Sequence, residues 1–136
     1  MKAKLMRHVR GYNLVEILVV LAIIGILILI ALPNHTSTIS KAKAVEAKTQ
    51  LQHLHSLQKM FFYEKSKYSD DLKSIGFDHP LLVTEGGNAN YMINITEVSS
   101  NHFKAEAVSI VDFDGDGQFN IWEIDQEKNL IEKVSD

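Results

Sequence analysis

The sequence predicts an α+β protein in which a long amino-terminal helix, with a membrane-spanning first half, is packed on a four-stranded antiparallel sheet. Three observations carry this. Residues 14–32 form a nineteen-residue apolar stretch whose one charge is Glu16. From 34 to about 67, apolar residues recur at three- and four-residue steps, the helical period. After Asn90 the period drops to two, the signature of half-buried strands.

Composition bounds what the chain can be. Its 136 residues are 46% hydrophobic and 23% charged, as in an ordinary folded protein. The absence of cysteine excludes a disulfide framework, a thiol nucleophile and a thiolate metal site. The formal charge of −3 is unevenly spread: Lys2, Lys4, Arg7 and Arg10 precede Gly11 with no acid among them, and from residue 12 onward ten basic residues face seventeen acidic ones. So acidic a body is poorly suited to bind nucleic acid as a monomer. Lys41, Lys43 and Lys48 read as a solvated helix face.

Nineteen residues approach the roughly 20 that a helix needs to cross the hydrocarbon core. The basic residues before the stretch keep that end in the cytoplasm and place the body outside the inner membrane. A cleavable signal peptide fits poorly, because the stretch ends in IALPNHT, without small residues at A-x-A spacing. A plain anchor leaves Glu16 and Gly11 unexplained. A carboxylate at mid-membrane costs about 2.5–3.5 kcal/mol, less near an end, and normally has a partner. Cutting after Gly11 would create one: Tyr12 would gain a cationic amine, with Glu16 four residues on along a helix.

Gly11, an apolar first mature residue at Tyr12, Glu16, the unbroken apolar helix, Gly25 and Pro33 together resemble the class III leader and first helix of type IV pilins and pseudopilins. The family usually begins its mature chain with phenylalanine, so Tyr12 is a mild departure. The resemblance implies that a membrane prepilin peptidase cleaves between Gly11 and Tyr12 and methylates the new amine. It implies that Glu16 neutralises the amine of an adjacent subunit, and that Gly25 and Pro33 bracket a segment able to lose helicity. Proline's missing donor and glycine's cost of about 1 kcal/mol relative to alanine agree with that last point. The implied organisation is a leader at 1–11, a membrane and filament-core helix at 12–33, and a globular pilin body at 34–136.

Within the body, Ile39, Ala42, Ala47, Leu51, Leu54, Phe61 and Phe62 mark the helix face expected to meet the sheet. His53 and His55 lie two apart on different sides of the helix, and both read as surface residues. Residues 68–77 read as a short helical turn capped by Ser69 and ended by Gly76. Pro80 and Gly86-Gly87 make the rest of the connection, to residue 89, a loop. The sheet is expected over 90–134. Its strands lie in YMINITEV, HFKAEAVSIV, FNIWEID and NLIEKV, and their short connections favour an antiparallel meander. This is the arrangement of the pilin fold.

One stretch carries metal chemistry. Residues 112–123, DFDGDGQFNIWE, satisfy D-x-D-x-D-G-x5-E. Hard cations such as Ca²⁺ take six to eight oxygens. Asp112, Asp114 and Asp116 would give carboxylates, Gln118 its carbonyl, Asn120 an amide oxygen and Glu123 a bidentate carboxylate. The flanks read as strands, so this is no EF-hand, and a hairpin loop could leave Glu123 pointing elsewhere. The competing reading is an acidic turn built on two Asp-Gly signals.

No phosphate-binding glycine loop, nucleophile elbow or H-E-x-x-H is present, so an enzyme is not expected. The resemblance implies a structural subunit of a type IV pilus that partners copies of itself, other pilins, the prepilin peptidase, the inner-membrane assembly machinery and, before assembly, lipid. A pseudopilin of type II secretion is the nearer alternative, although the R-R-L-P-x-D-P-W-G-x-P-Y run of major secretion pseudopilins has no counterpart here. A monomeric membrane-anchored binding protein is the more distant one. Whether the filament serves adhesion, motility, DNA uptake or secretion would lie with the assembly machine and shared surfaces.

Overall fold

The computed structural model describes residues 11–31 and 35–136. Pro33 and the basic residues before Gly11 lie outside the described residues. The chain divides into two units, one ending at Asn34 and one spanning His35–Asp136.

In the first unit, helix α1 covers Leu14–Ala31. Asn13 starts it, its carbonyl accepting the Glu16 and Ile17 N–H groups at 3.0 and 3.2 Å. At 1.5 Å per residue its eighteen residues span about 27 Å. It is long and apolar enough to cross a membrane, and none of its residues is buried. A β-branched and leucine-rich helix apolar all round needs lipid or other helices for cover.

In the second unit, α2 runs His35–Lys65, followed by a 3₁₀ turn at Val83–Glu85 and strands β1 (Tyr91–Val98), β2 (Phe103–Ser109), β3 (Ile121–Asp125) and β4 (Leu130–Val134). The sheet order β1-β2-β3-β4 is that of an antiparallel meander. Alternation decides the faces. Tyr91, Ile93, Phe103, Ala105, Ala107 and Ile124 point inward and are all but inaccessible. They meet Ala47, Leu51 and Leu54 of α2 in one core with Tyr68, Ile75 and Phe77. Alanines on both sides of this contact let helix and sheet approach closely. The outer face carries the ion pairs Lys104–Glu97 and Lys133 with Glu106 and Glu123, which are exposed enough to add little stability.

The apolar face of α2 begins later than its periodicity suggests. Ile39 and Ala42 are exposed, and the buried line runs through Ser40 and Ala44 instead, so its first apolar member is Ala44. Gln58 continues that line as a fully buried amide. Its Oε1 accepts the Ser69 N–H at 3.0 Å and its Nε2 donates to the Ser69 carbonyl at 2.6 Å, so the connection is clamped to the helix. Residues 72–76 form turns rather than a helix. The Ser69 hydroxyl and Asp71 carboxylate take the N–H groups of Asp71 and Lys73, and such local bonds compete with helix nucleation. At Gly87 a Cβ would come within 1.9 Å of the Leu81 carbonyl oxygen, so the loop closes only around glycine. His79 joins this loop to the sheet: its Nε2 accepts the Ile93 N–H at 3.0 Å.

His55, expected at the surface, is buried, and its Nε2–H donates to the Gln126 carbonyl at 3.2 Å in the β3–β4 turn. Burial holds its pKa below the ordinary 6.5, against the pull of that carbonyl. In the same turn, burial raises the Asp125 carboxyl but is outweighed by hydrogen bonds from Asn129 and Glu127, which leave it below its ordinary 3.8. Both groups bind fewer protons folded than unfolded, so both lose stability on acidification. The His55 contribution is complete above 6.5 and is lost as pH falls from there through its lowered folded value. That of Asp125 follows only below 3.8. Melting of residues 35–136 against pH should therefore show a first decline beginning near 6.5, and His55→Gln should remove that step and leave the more acidic one. An unchanged first step would exclude His55 as its source.

Candidate assembly helix and acidic loop

At the start of α1, Tyr12 is 79% exposed, and nothing lies near the Cβ position of Gly11 or Gly25. Glu16 is exposed in the first helical turn. Among the described residues no cation or hydrogen-bond donor reaches its carboxylate. A lone carboxylate on a helix otherwise made of isoleucine, leucine, valine, alanine and glycine needs a partner from outside its own segment.

In the body, the β2–β3 connection carries the aspartates. Asp112 bridges the loop, with Oδ1 accepting the Gly115 N–H at 2.6 Å and Oδ2 the Gly117 N–H at 2.9 Å. Asp114 Oδ1 accepts the Asp116 N–H at 3.0 Å, and Asp116 Oδ1 the Gln118 N–H at 2.7 Å. Gly115 and Gly117 adopt φ of +81° and +88°, the left-handed conformation that glycine reaches without cost. The Gly117 N–H, foremost among the backbone donors, pulls the Asp112 carboxyl below its ordinary range. For Asp114 the Asp116 N–H pulls the same way. Desolvation and repulsion from Asp116 and Asp136 outweigh it and leave that carboxyl above its ordinary value.

The structure brings together Asp112, Asp114 and Asp116 and adds Asp136, with one carboxylate oxygen from each lying within 4.8 Å of the others. Asp136 also accepts the N–H groups of Phe113 and Asp114 at 3.0 and 3.2 Å. Two expected ligands are engaged elsewhere. Asn120 is buried, its Oδ1 accepting the Tyr91 hydroxyl at 2.8 Å and its Nδ2 donating to Glu132 Oε1 at 2.7 Å and the Val134 carbonyl at 2.9 Å. Glu123 lies in β3, where it binds Lys133 at 3.2 Å. The Gln118 amide donates to Asp116 Oδ2 at 3.0 Å. Strand geometry explains the exchange: after Phe119 the chain enters the sheet, so residues 120–123 cannot wrap back as they would ahead of a helix. Asp136 was accessible to sequence reasoning. Pairing NLIEKV against FNIWEID places Val134 opposite Ile121, which returns the following residues to the loop.

A long apolar helix followed by α2 packed on an antiparallel meander defines the pilin class of architecture. The non-core minor pilin PilV of Neisseria meningitidis shares the fold, with a TM-score of 0.55 over 74% of this chain and 92% of that one at 14% identity. A family described as "Type IV minor pilin ComP, DNA uptake sequence receptor" matches residues 33–118, and the prokaryotic N-terminal methylation motif matches residues 6–32. The type IV major pilin protein PilA of Myxococcus xanthus (strain DK1622) is 50% identical over 68 residues, which is 50% of this chain and 31% of that protein. The chain therefore spans about a third of the length of that curated relative. It belongs to the type IV minor pilin family that matches its body, a family of structural, non-enzymatic subunits.

Proposed function

We propose that the chain is a structural subunit of a type IV pilus filament, cleaved after Gly11, N-methylated at Tyr12 and assembled through its hydrophobic helix. The observation that carries this reading is α1, eighteen residues without a buried side chain and with one unpartnered carboxylate near its start. Before assembly, lipid covers the helix, with the amino terminus cytoplasmic and the body periplasmic. In the extracellular filament, the helices of other copies and of other pilins replace lipid, and the amine of Tyr12 on a neighbouring copy meets Glu16. Gly25 and Pro33 would bracket the segment that loses helicity during this exchange. Prepilin peptidase and an inner-membrane assembly machine are the implied partners.

Intact mass of the protein sheared from cells tests the reading. A chain beginning at methylated Tyr12 supports it, whereas a chain found uncut and only in the membrane fraction would mean a monomeric membrane-anchored protein. A pseudopilin would carry the same processed terminus but remain in a periplasmic fibre, absent from sheared material.

The acidic loop fits a hard cation by its donor set, four carboxylates converging from two segments. We assign it a structural Ca²⁺ held by Asp112, Asp114, Asp116 and Asp136, which would tie the β2–β3 loop to the residues after β4. Titrating residues 35–136 with Ca²⁺ to a hundredfold excess over Kd should raise Tm by about 10 °C, since such binding contributes about 2.7 kcal/mol. EGTA should reverse the rise, and an unchanged Tm removes the assignment.

The matching family is described by a DNA uptake sequence receptor. Lys41 and Lys48, which form no ion pair among the described residues, line one cleft with Trp122, and Lys48 Nζ sits 4.2 Å from the indole centroid. Glu132 and Asp136 line the same cleft and oppose a phosphate backbone. The monomer is accordingly assigned no nucleic-acid partner; a salt-sensitive shift of duplex DNA by residues 35–136 would overturn this.

A further inference from the structure

The β2–β3 loop contains two Asp-Gly peptide bonds, Asp114–Gly115 and Asp116–Gly117. An aspartate before glycine is prone to ring closure, because the following nitrogen is unshielded by a Cβ and rides on a freely rotating backbone. Residues 114–118 are all exposed, so water has access to each step. Both glycines hold a positive φ, which a side chain would strain, so the fold depends on the residues that make the loop labile.

Hydrogen bonds hold the reacting groups apart. The attacking nitrogens, those of Gly115 and Gly117, both donate to the single carboxylate of Asp112, at 2.6 and 2.9 Å. The carboxylates they would attack are turned forward: Asp114 to the Asp116 N–H, and Asp116 to the Gln118 N–H and side-chain amide. We propose that Asp114 and Asp116 are sites of slow spontaneous conversion to isoaspartate, and that Asp112 sets the rate by holding both attacking nitrogens.

The reaction needs only water. The glycine nitrogen forms a bond to the aspartate side-chain carbon, and one carboxyl oxygen leaves as water with the amide proton and a proton from solvent. Water then adds to the cyclic imide. Opening at the side-chain carbonyl restores aspartate; opening at the main-chain carbonyl routes the backbone through the extra methylene. The remaining carboxylate is then displaced, which would separate it from Asp112 and Asp136. This inference is independent of the filament reading.

The test ages the full-length chain in detergent at neutral pH, with EDTA to keep divalent cations off the loop. Trypsin releases the peptide between Lys104 and Lys128, which carries both sites, and electron-based fragmentation reads the extra main-chain methylene. Isoaspartate should accumulate at 114 and 116 more slowly in the folded chain than in urea. Asp112→Ala should accelerate it roughly tenfold, the order by which one lost hydrogen bond to a charged group shifts an equilibrium. Asp112→Asn, retaining one acceptor oxygen, should fall between. If circular dichroism shows that Asp112→Ala does not fold, Asp112→Asn against the unmodified chain decides alone. Equal rates in the folded chain and its folded variants overturn the proposal, as does isoaspartate absent from every folded sample.

Discussion

Asn120→Ala is expected to cost residues 35–136 about 3 kcal/mol, with Tm falling by roughly 10–20 °C for a body of this size. The argument is one of orphaned partners. Asn120 is 1% exposed and makes three hydrogen bonds, to the Tyr91 hydroxyl, the Glu132 carboxylate and the Val134 carbonyl. These tie β1 to the residues entering β3 and to β4, so one amide joins three of the four strands. Truncation leaves the Tyr91 hydroxyl without an acceptor where that side chain is 1% exposed, and an unmet buried polar group costs about 1–3 kcal/mol. It also removes the donor between Glu132 and Val134. Burial, followed by the charges of Glu46, Asp136 and Glu132, already raises the Tyr91 pKa, so the phenol stays a neutral donor that needs an acceptor. The cost should be the same in EGTA and in Ca²⁺, because the amide oxygen is committed to Tyr91. Tyr91→Phe should cost less than Asn120→Ala, and the double variant less than the sum of the two. If Asn120→Ala melts with the unmodified chain in EGTA but loses stability only in Ca²⁺, Asn120 is a metal ligand after all.

That residue also shows where sequence reasoning stops. The D-x-D-x-D-G-x5-E spacing fixes ligand positions only if the chain after the loop is helical, and here the alternation of FNIWEID puts it in a strand. The same alternation correctly turns Phe103, Ala105 and Ala107 toward the helix, because period-two burial is a local property that the sheet merely completes. Glu16 and the apolar helix are legible for a similar reason, since a charge in such a run is conspicuous without any tertiary contact. His55 and Gln58 are different. Their partners lie 71 and 11 residues away, and a polar residue on a helix says nothing about whether a distant backbone group will meet it. His79 belongs with them, because accepting the Ile93 N–H depends on how the loop containing Pro80, Gly86 and Gly87 folds back along β1. Ile39 and Ala42 differ from expectation for a complementary reason: an apolar period shows that a face exists, but in the first turns of α2 the covered side is the one carrying Ser40 and Ala44.

Glu16→Ala is expected to leave synthesis, membrane insertion and cleavage after Gly11 intact while reducing incorporation into filaments by about two orders of magnitude. Removing one partner of a buried charge pair costs about 3–5 kcal/mol, because the remaining charge stays buried and unpaired, and each 1.4 kcal/mol is a factor of ten. In the proposed filament that remaining charge is the Tyr12 amine, surrounded by isoleucine and leucine side chains. In the membrane the monomer pays no such penalty, since a terminal amine near the interface can reach water. The variant should therefore accumulate as a processed membrane pool. Glu16→Gln separates charge from shape: it keeps the side-chain length and an acceptor oxygen but not the negative charge, so it should assemble nearly as poorly as the alanine variant. Glu16→Asp retains the charge on a shorter arm and should recover part of the assembly, with the deficit measuring how tightly the pairing sets axial register. Quantifying sheared filaments against the processed pool by immunoblot reads all three. Normal filament yield from Glu16→Ala would mean that apolar helix contacts alone drive and register assembly, leaving the lone carboxylate of α1 without the role assigned to it.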